Sequence, residues 1–141
     1  MSTELDLARG WLIKAASDLA AGRLVVEGDG PYDTACFHAQ QAIEKSLKGF
    51  LVLRKQAAPR THDLEELQRL CLSLAPLPGL ADLDLVEAAD YGVMARYDLD
   101  FWPEQTTATD ALILAEDVFQ IVVATLPPAY RPKQPDQVPY L

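Results

Sequence analysis

Apolar residues recur at three- and four-residue steps along most of this chain, and each run so patterned predicts a helix with one buried face. From Leu5 to about Val26 the series Leu5, Ala8, Leu12, Ala15, Ala16, Leu19 and Val26 marks the first helix. EGDGP, residues 27–31, ends it, because two glycines and a proline cannot continue a helix. A second is predicted from Tyr32 or Asp33 to about Arg54, with Ala35, Cys36, Ala39, Ala42, Ile43, Ser46, Leu47 and Phe50 turned inward. Small residues dominate its first half and let a neighbouring helix approach closely. Pro59 breaks the pattern, and Asp63 with Glu66 three residues on makes the aspartate version of a capping box, so a third helix is expected over 63–73.

APLPGL reads as a loop, followed by a short helix from about Asp82 to Val93 and an irregular aromatic stretch, ARYDLDFWPEQ, at 95–105. The last helix is predicted from Thr106 or Thr107 to Leu126, with Ala111, Leu114, Val118, Ile121 and Val122 inward. Pro127 and Pro128 stop it. The segment 127–141 holds five of the chain's ten prolines and is expected to be an extended tail. No strand-type alternation and no hairpin signal occurs. The expected fold is all-α: an up-and-down bundle of about five helices over 1–126, in one domain, with a Pro-rich tail at 127–141.

Composition changes this picture in three places. No apolar run approaches the roughly 20 residues of a membrane helix, and the N-terminus lacks the basic-then-apolar build of a secretory signal, so a cytoplasmic protein without membrane attachment is expected. The two cysteines, Cys36 and Cys71, both fall in apolar periodic segments and read as buried free thiols. The net charge of −9 argues against binding of extended nucleic acid, which draws affinity from a surplus of Lys and Arg. Its distribution is uneven: between Glu44 and Asp63 the chain carries Lys45, Lys48, Arg54, Lys55 and Arg60 and no acid, a local +5. An acidic body with one basic strip suits a compact anion or an acidic partner surface.

Three stretches carry candidate chemistry. In FHAQQAIEKSLKGFL, 37–51, the side chains of His38, Gln41, Lys45 and Lys48 fall within an arc of about 80° opposite the apolar face. Together they match a phosphate with a hydrogen-bonding group attached, although Lys and Gln on a wet helix face, with Glu44 and Lys48 as an i,i+4 pair, is the plain alternative. In PRTHDLEEL, His62 just ahead of a helix and beside Arg60 suits an anion site, or a histidine helping to cap the helix. In MARYDLDFWPE, Arg96, Tyr97, Phe101 and Trp102 offer a guanidinium and stacking faces to a nucleotide, or plug the end of a bundle.

No metal is expected, since the two histidines lie on different elements without ligand spacing, and no cofactor is indicated. The usual phosphate-cradling glycine loops and nucleophile turns are absent from the sequence, and no catalytic residue is assigned.

WLIKAASDLAAGRLVV, then YDTACFHAQQAIEKSLKGFLVLRKQAAPRTHDLEELQRLC, then ARY, resembles the HEPN family, the higher eukaryote and prokaryote nucleotide-binding domains. The resemblance spans nearly the whole chain to about Leu126. It implies an up-and-down helical bundle that commonly dimerises and is found alone, fused to or encoded beside minimal nucleotidyltransferases, and in several toxin-antitoxin systems. Carried onto this chain it touches His38, Gln41, Glu44, Lys45, Lys48, His62, Asp63, Arg96 and Tyr97. RNA-cleaving members carry an Arg followed, after four to six residues, by a His. Here Arg54 stands too far before His62, Arg60 too near, and Lys55 has the interval with the wrong side chain.

The expectation is therefore a dimeric nucleotide-binding or adaptor module that serves a nucleotidyltransferase partner. The alternatives are an RNA-cleaving toxin and a purely structural dimerisation module.

Overall fold

The computed structural model describes residues 3–132, and among these the regular structure is helical throughout. Five α-helices follow one another: α1 (Glu4–Glu27), α2 (Tyr32–Leu53), α3 (Leu64–Leu74), α4 (Val86–Tyr97) and α5 (Gln105–Val123), with a 3-10 turn at Pro128–Tyr130. The all-α bundle read from the periodicity is the fold observed.

The first helix begins with a full capping box. Thr3 accepts from the Asp6 amide while the Asp6 carboxylate accepts from the Thr3 amide, which satisfies two of the donors a helix start leaves open. α2 is the hub, packed against α1, α3, α4 and α5. Its Ile43, Leu47, Phe50 and Leu51 are buried together with Leu12 of α1, Leu64 and Leu67 of α3, and Val118 and Phe119 of α5. Each such side chain contributes about 1.5–3 kcal/mol on leaving water, and this core holds the bundle. The small residues in the first half of α2, Ala35, Cys36, Ala39 and Ala42, are fully buried, and the closest approach of α1 falls in its second half. A Cβ on Gly49 would stand 3.2 Å from the Trp11 Cβ and 3.4 Å from the Ala8 carbonyl oxygen, so α1 lies on α2 with almost no room to spare.

Three helices depart from expectation. The fourth helix starts at Val86 rather than near Asp82, because the backbone ahead of it is committed elsewhere. The Gln68 side-chain amide donates to the carbonyls of Leu80 and Leu83, at 2.8 and 2.9 Å, and Asp84 accepts from the Val86 amide, fixing 80–85 as a loop anchored by buried Leu80 and Leu85. The helix then runs on to Tyr97, so Arg96 and Tyr97 belong to its last turn and not to the aromatic loop.

At α3 only half of the expected capping box forms. Asp63 accepts from the amides of Glu65 and Glu66, but Thr61 stands between the two acids, its hydroxyl accepting from the Asp63 amide and donating to Glu66.

At the C-terminal end, α5 stops at Val123 and a turn carries the chain to Leu126. Arg131 then donates to the carbonyls of Ala124 and Leu126, which holds the 3-10 turn beside the helix end. The remainder of the Pro-rich segment, 133–141, lies outside the described residues. Among the described residues no helix is long and apolar enough to cross a membrane.

Both cysteines are free and buried, and burial pushes each thiol up to about 12. At Cys36 the neighbouring charges of Asp33 and Glu87 add to that effect. At pH 8 neither forms an appreciable thiolate, the species that attacks a disulfide reagent. Titration with Ellman's reagent is expected to give no fast-reacting thiol in the native protein and two after denaturation; a thiol that reacts within seconds under native conditions contradicts this packing.

Candidate functional site

Four charged or amide side chains on α1 and α2 are buried: Asp18, Gln40, Glu44 and Lys48. Taking such groups from water costs free energy unless partners are supplied, so their partners show what the fold is organised around. Asp18 of α1 holds two residues of α2, with His38 Nδ1 2.9 Å from Oδ1 and Lys45 Nζ 2.7 Å from Oδ2. Glu44 of α2 is the centre of the second group. Lys48 Nζ donates to its Oε2 at 3.2 Å, while Oε1 lies 3.0 Å from His62 Nδ1 and 3.2 Å from Gln40 Nε2.

The polar arc predicted on α2 is thus divided between two neighbours. Its His38 and Lys45 edge faces α1. Gln41, with Glu44, faces the loop before α3 and the helix α4, whereas Lys48 reaches Glu44 from over Trp11 of α1. The reading of Lys48 as part of an outer surface does not hold: only 7% of its side chain is exposed, and its ammonium lies 6.0 Å from the centre of the Trp11 ring. Helical spacing gives direction around one helix, but not which directions other helices cover. The Glu44–Lys48 pair was legible; its burial was not.

His62 is not a helix cap, a role Asp63 fills. Its side chain is 79% exposed and is tethered through Nδ1 to a carboxylate with 6% exposure. An ionised carboxylate only accepts, so Nδ1 donates, and in the neutral ring Nε2 carries the lone pair. Arg96, on the last turn of α4, donates through Nε to the Gly92 carbonyl at 2.7 Å. Its guanidinium lies 5.7 Å from the centre of the Phe37 ring and 5.3 Å from that of Tyr97. Its two terminal nitrogens make no hydrogen bond or ion pair within the described residues and remain available as donors.

Between α2, α4 and the loop before α3 these groups enclose a cavity of about 230 Å3. Buried Gln40 and Glu44, with half-buried Gln41, form its floor; Phe37, Ala89, Gly92 and Val93 its walls; His62 and Arg96 its exposed rim. Gly92 is required for this shape. A Cβ there would come within 2.9 Å of Gln40 Oε1, so α4 crosses α2 where only a hydrogen stands between them.

A groove of similar size, about 240 Å3, runs between α1 and α5, but its wall is mainly hydrocarbon from Leu19, Val26, Leu112 and Ile113, and its Arg23 is already paired with Glu116 at 3.1 Å. Of these two, the α2–α4 cavity is where unpaired polar groups converge among the described residues.

Of the residues predicted for a nucleotide or phosphate, Gln41, His62 and Arg96 line this cavity, and Tyr97 stacks on Arg96 at its edge. His38 and Lys45 are held by Asp18, and Lys48 by Glu44. Arg60 is exposed, outside the cavity wall, and without a hydrogen bond or ion pair within the described residues. Phe101 stacks on Tyr91, with ring centres 5.6 Å apart, whereas Trp102 is 72% exposed.

Sequence reasoning missed Asp18, Gln40, Phe37 and Gly92. For Asp18 a signal was present, a lone acid inside the small-residue run AASDLAA. Within the described residues no group of three His, Cys, Asp or Glu side chains is arranged to hold a metal ion.

The protein is a small helical bundle whose central helix carries a buried carboxylate beneath a polar cavity. The chain belongs to the HEPN domain family, whose model matches residues 8–126. Among solved structures it is similar to the crystal structure of TT1696 from Thermus thermophilus, at 32% identity over 84% of this chain and 98% of that one, with a TM-score of 0.65. No curated protein matches the chain.

Removing one member of a buried ion pair strands the other charge. Lys48→Ala is expected to cost about 3–5 kcal/mol, seen as a lowered denaturant midpoint, whereas Lys48→Met combined with Glu44→Gln costs far less. Equal losses in the two variants would show that Glu44 and Lys48 do not depend on each other.

Proposed function

We propose that this HEPN domain is a nucleotide-binding module, and that its site is the cavity between α2 and α4. One observation carries the reading: an arginine with unpaired terminal donors and a histidine with a free ring nitrogen share the rim of a cavity whose floor is polar and buried. Arg96 on that rim meets a phosphate by charge and by directed hydrogen bonds, His62 Nε2 accepts from a hydroxyl of the same ligand, and Tyr97, 70% exposed beside Arg96, gives a face for stacking. His38, Lys45 and Lys48 then act from behind, locking α2 to α1 and fixing Glu44 under the cavity, with Arg60 an outlying cation.

The same domain is proposed to work as a homodimer beside a minimal nucleotidyltransferase, in a toxin-antitoxin-like setting. Support comes from the surface next to the site. Val86, Val93 and Tyr97 share one outer face of α4, exposed by 55%, 60% and 70%, and the segment that follows adds Leu99 and Trp102, at 85% and 72%. An apolar patch of this kind, with Val93 also in the cavity wall, suits a protein partner that covers the site.

A second reading, cleavage of RNA, is favoured by one contact. Glu44 orients His62 through Nδ1 and leaves Nε2 facing outward as a base, with Arg96 across the same cavity to hold a phosphate. These two residues come from distant parts of the chain, so their meeting does not depend on the Arg-to-His spacing that the sequence lacks.

In thermal melting, a ribonucleoside monophosphate at one hundred times its dissociation constant is expected to add about 2.7 kcal/mol to wild-type stability and nothing to Arg96→Ala. No stabilisation by any nucleotide leaves the structural dimerisation module as the better account. For the second reading, incubation with single-stranded RNA is expected to give products that disappear in a folded His62→Ala variant; cleavage that survives the substitution eliminates that role for His62.

A further inference from the structure

The surface around α4 is apolar at its centre and acidic around it. Val86, Val93 and Tyr97 on the outer face of the helix, with Leu99 and Trp102 of the segment after it, are each more than half exposed. Trp102 is held in place. Its Nε1 donates to the Leu99 carbonyl at 2.9 Å, the Phe101 amide closes a turn on the Asp98 carbonyl, and the Phe101 ring stacks on buried Tyr91. A large ring presented in a fixed pose loses little freedom on binding, and Trp102, Tyr97 and Arg96 are of the residue types on which contact energy at protein interfaces concentrates.

From Asp82 to Asp110 the chain carries eight acids and a single base, Arg96. All eight acids are exposed, and none is paired with a cation within the described residues. Asp90 stands on the apolar face itself, one helical turn from Val86 and from Val93, and Asp98 and Asp100 flank Leu99. Asp84, Glu87 and Asp110 line a second cavity, of about 180 Å3, where α4 faces α5, and in it the Tyr91 hydroxyl donates to Glu87 at 2.7 Å. A cavity of this size is too small for a whole ligand and takes one side chain, which three carboxylates select as a lysine or an arginine. Two copies of this face set together would oppose acid to acid, so the occupant is a different chain.

We infer that the α4 face docks a basic amphipathic segment of a partner protein. Its apolar side chains cover Val86, Val93, Tyr97 and Trp102, its lysines or arginines meet the acids around them, and one of these enters the α4–α5 cavity. The inference rests on the reading that a protein partner covers this face, and adds the charge of that partner.

Fluorescence anisotropy with two dye-labelled probes tests it: an amphipathic helical peptide of leucine and lysine, and its counterpart of leucine and glutamate. The lysine peptide is expected to bind the full chain at least about tenfold tighter than the glutamate peptide, with an affinity that falls as salt is raised. Trp102→Ala, and separately Asp90→Lys combined with Asp110→Lys, are each expected to weaken the lysine peptide about tenfold. Glu4→Lys combined with Asp117→Lys changes the net charge by the same amount, at the start of α1 and in the C-terminal half of α5, and is expected to leave the affinity within about twofold. Equal losses in the two double variants show attraction to net charge alone and overturn the proposal. Equal affinity for the two peptides, lost in Trp102→Ala, overturns the selection by charge and leaves the partner face standing, whereas binding of neither peptide overturns both. A wild-type dimer that Trp102→Ala dissociates in sedimentation assigns the face to a second copy, which also overturns the proposal.

Discussion

A carboxylate buried on the central helix governs the arrangement around it. Glu44 has little contact with water, and a charge so placed must be met by donors from every side. Lys48 meets it from the next turn of the same helix, His62 from the loop leading into α3, and Gln40 from the turn before. Each of those contacts fixes something further. Lys48 is drawn in over Trp11 of α1, His62 is given a defined tautomer, and Gln40 passes its orientation to Gln41. One ionised group thereby links the loop before α3 and the polar side of α2 into a single piece.

Stability alone does not account for such a group. A buried ion pair is often no better for the folded state than hydrocarbon of the same volume, because desolvation offsets the attraction between the charges. What the pair does here is set direction. An apolar residue at position 44 would leave His62 untethered and let both glutamine amides turn. The close crossing at Gly92 has a related effect, since it presses α4 against Gln40 and brings Arg96 to the mouth of the cavity. Rigid helices, rather than loops, therefore place the floor and one side of the rim, the condition for a site held to a defined geometry.

Much of the architecture could be read from the chain because it follows from local rules. The apolar steps from Ala8 to Leu19 and from Ala35 to Phe50 each mark a buried face, and EGDGP and Pro59 punctuate them where the helices end or pause. The start of α4 was not legible, since it is decided by Gln68, a residue on another helix that captures the carbonyls of Leu80 and Leu83. The site was legible in part for the same reason. His62 and Arg96 could be named as candidates, but that they share one cavity depends on how α4 crosses α2. That Lys45 and Lys48 are engaged depends on Asp18 and on the burial of Glu44. Periodicity describes one helix at a time, and these facts belong to pairs.

The same pairing changes the meaning of the basic strip between Glu44 and Asp63. Read along the chain it is a local +5 on an acidic protein. In the fold Lys45 and Lys48 are neutralised by Asp18 and Glu44, and Arg54 donates to the Leu74 carbonyl and lies over Phe50. Only Lys55 and Arg60 remain as uncommitted surface cations of that strip, and a long polyanion, whose affinity grows with the number of phosphates neutralised, finds no continuous track there. Arg96 lies outside the strip, on α4, and owes its place at the cavity to the packing of the bundle. An isolated guanidinium close to two aromatic rings and backed by a polar floor matches a compact anion carrying a hydrogen-bonding group rather than an extended strand.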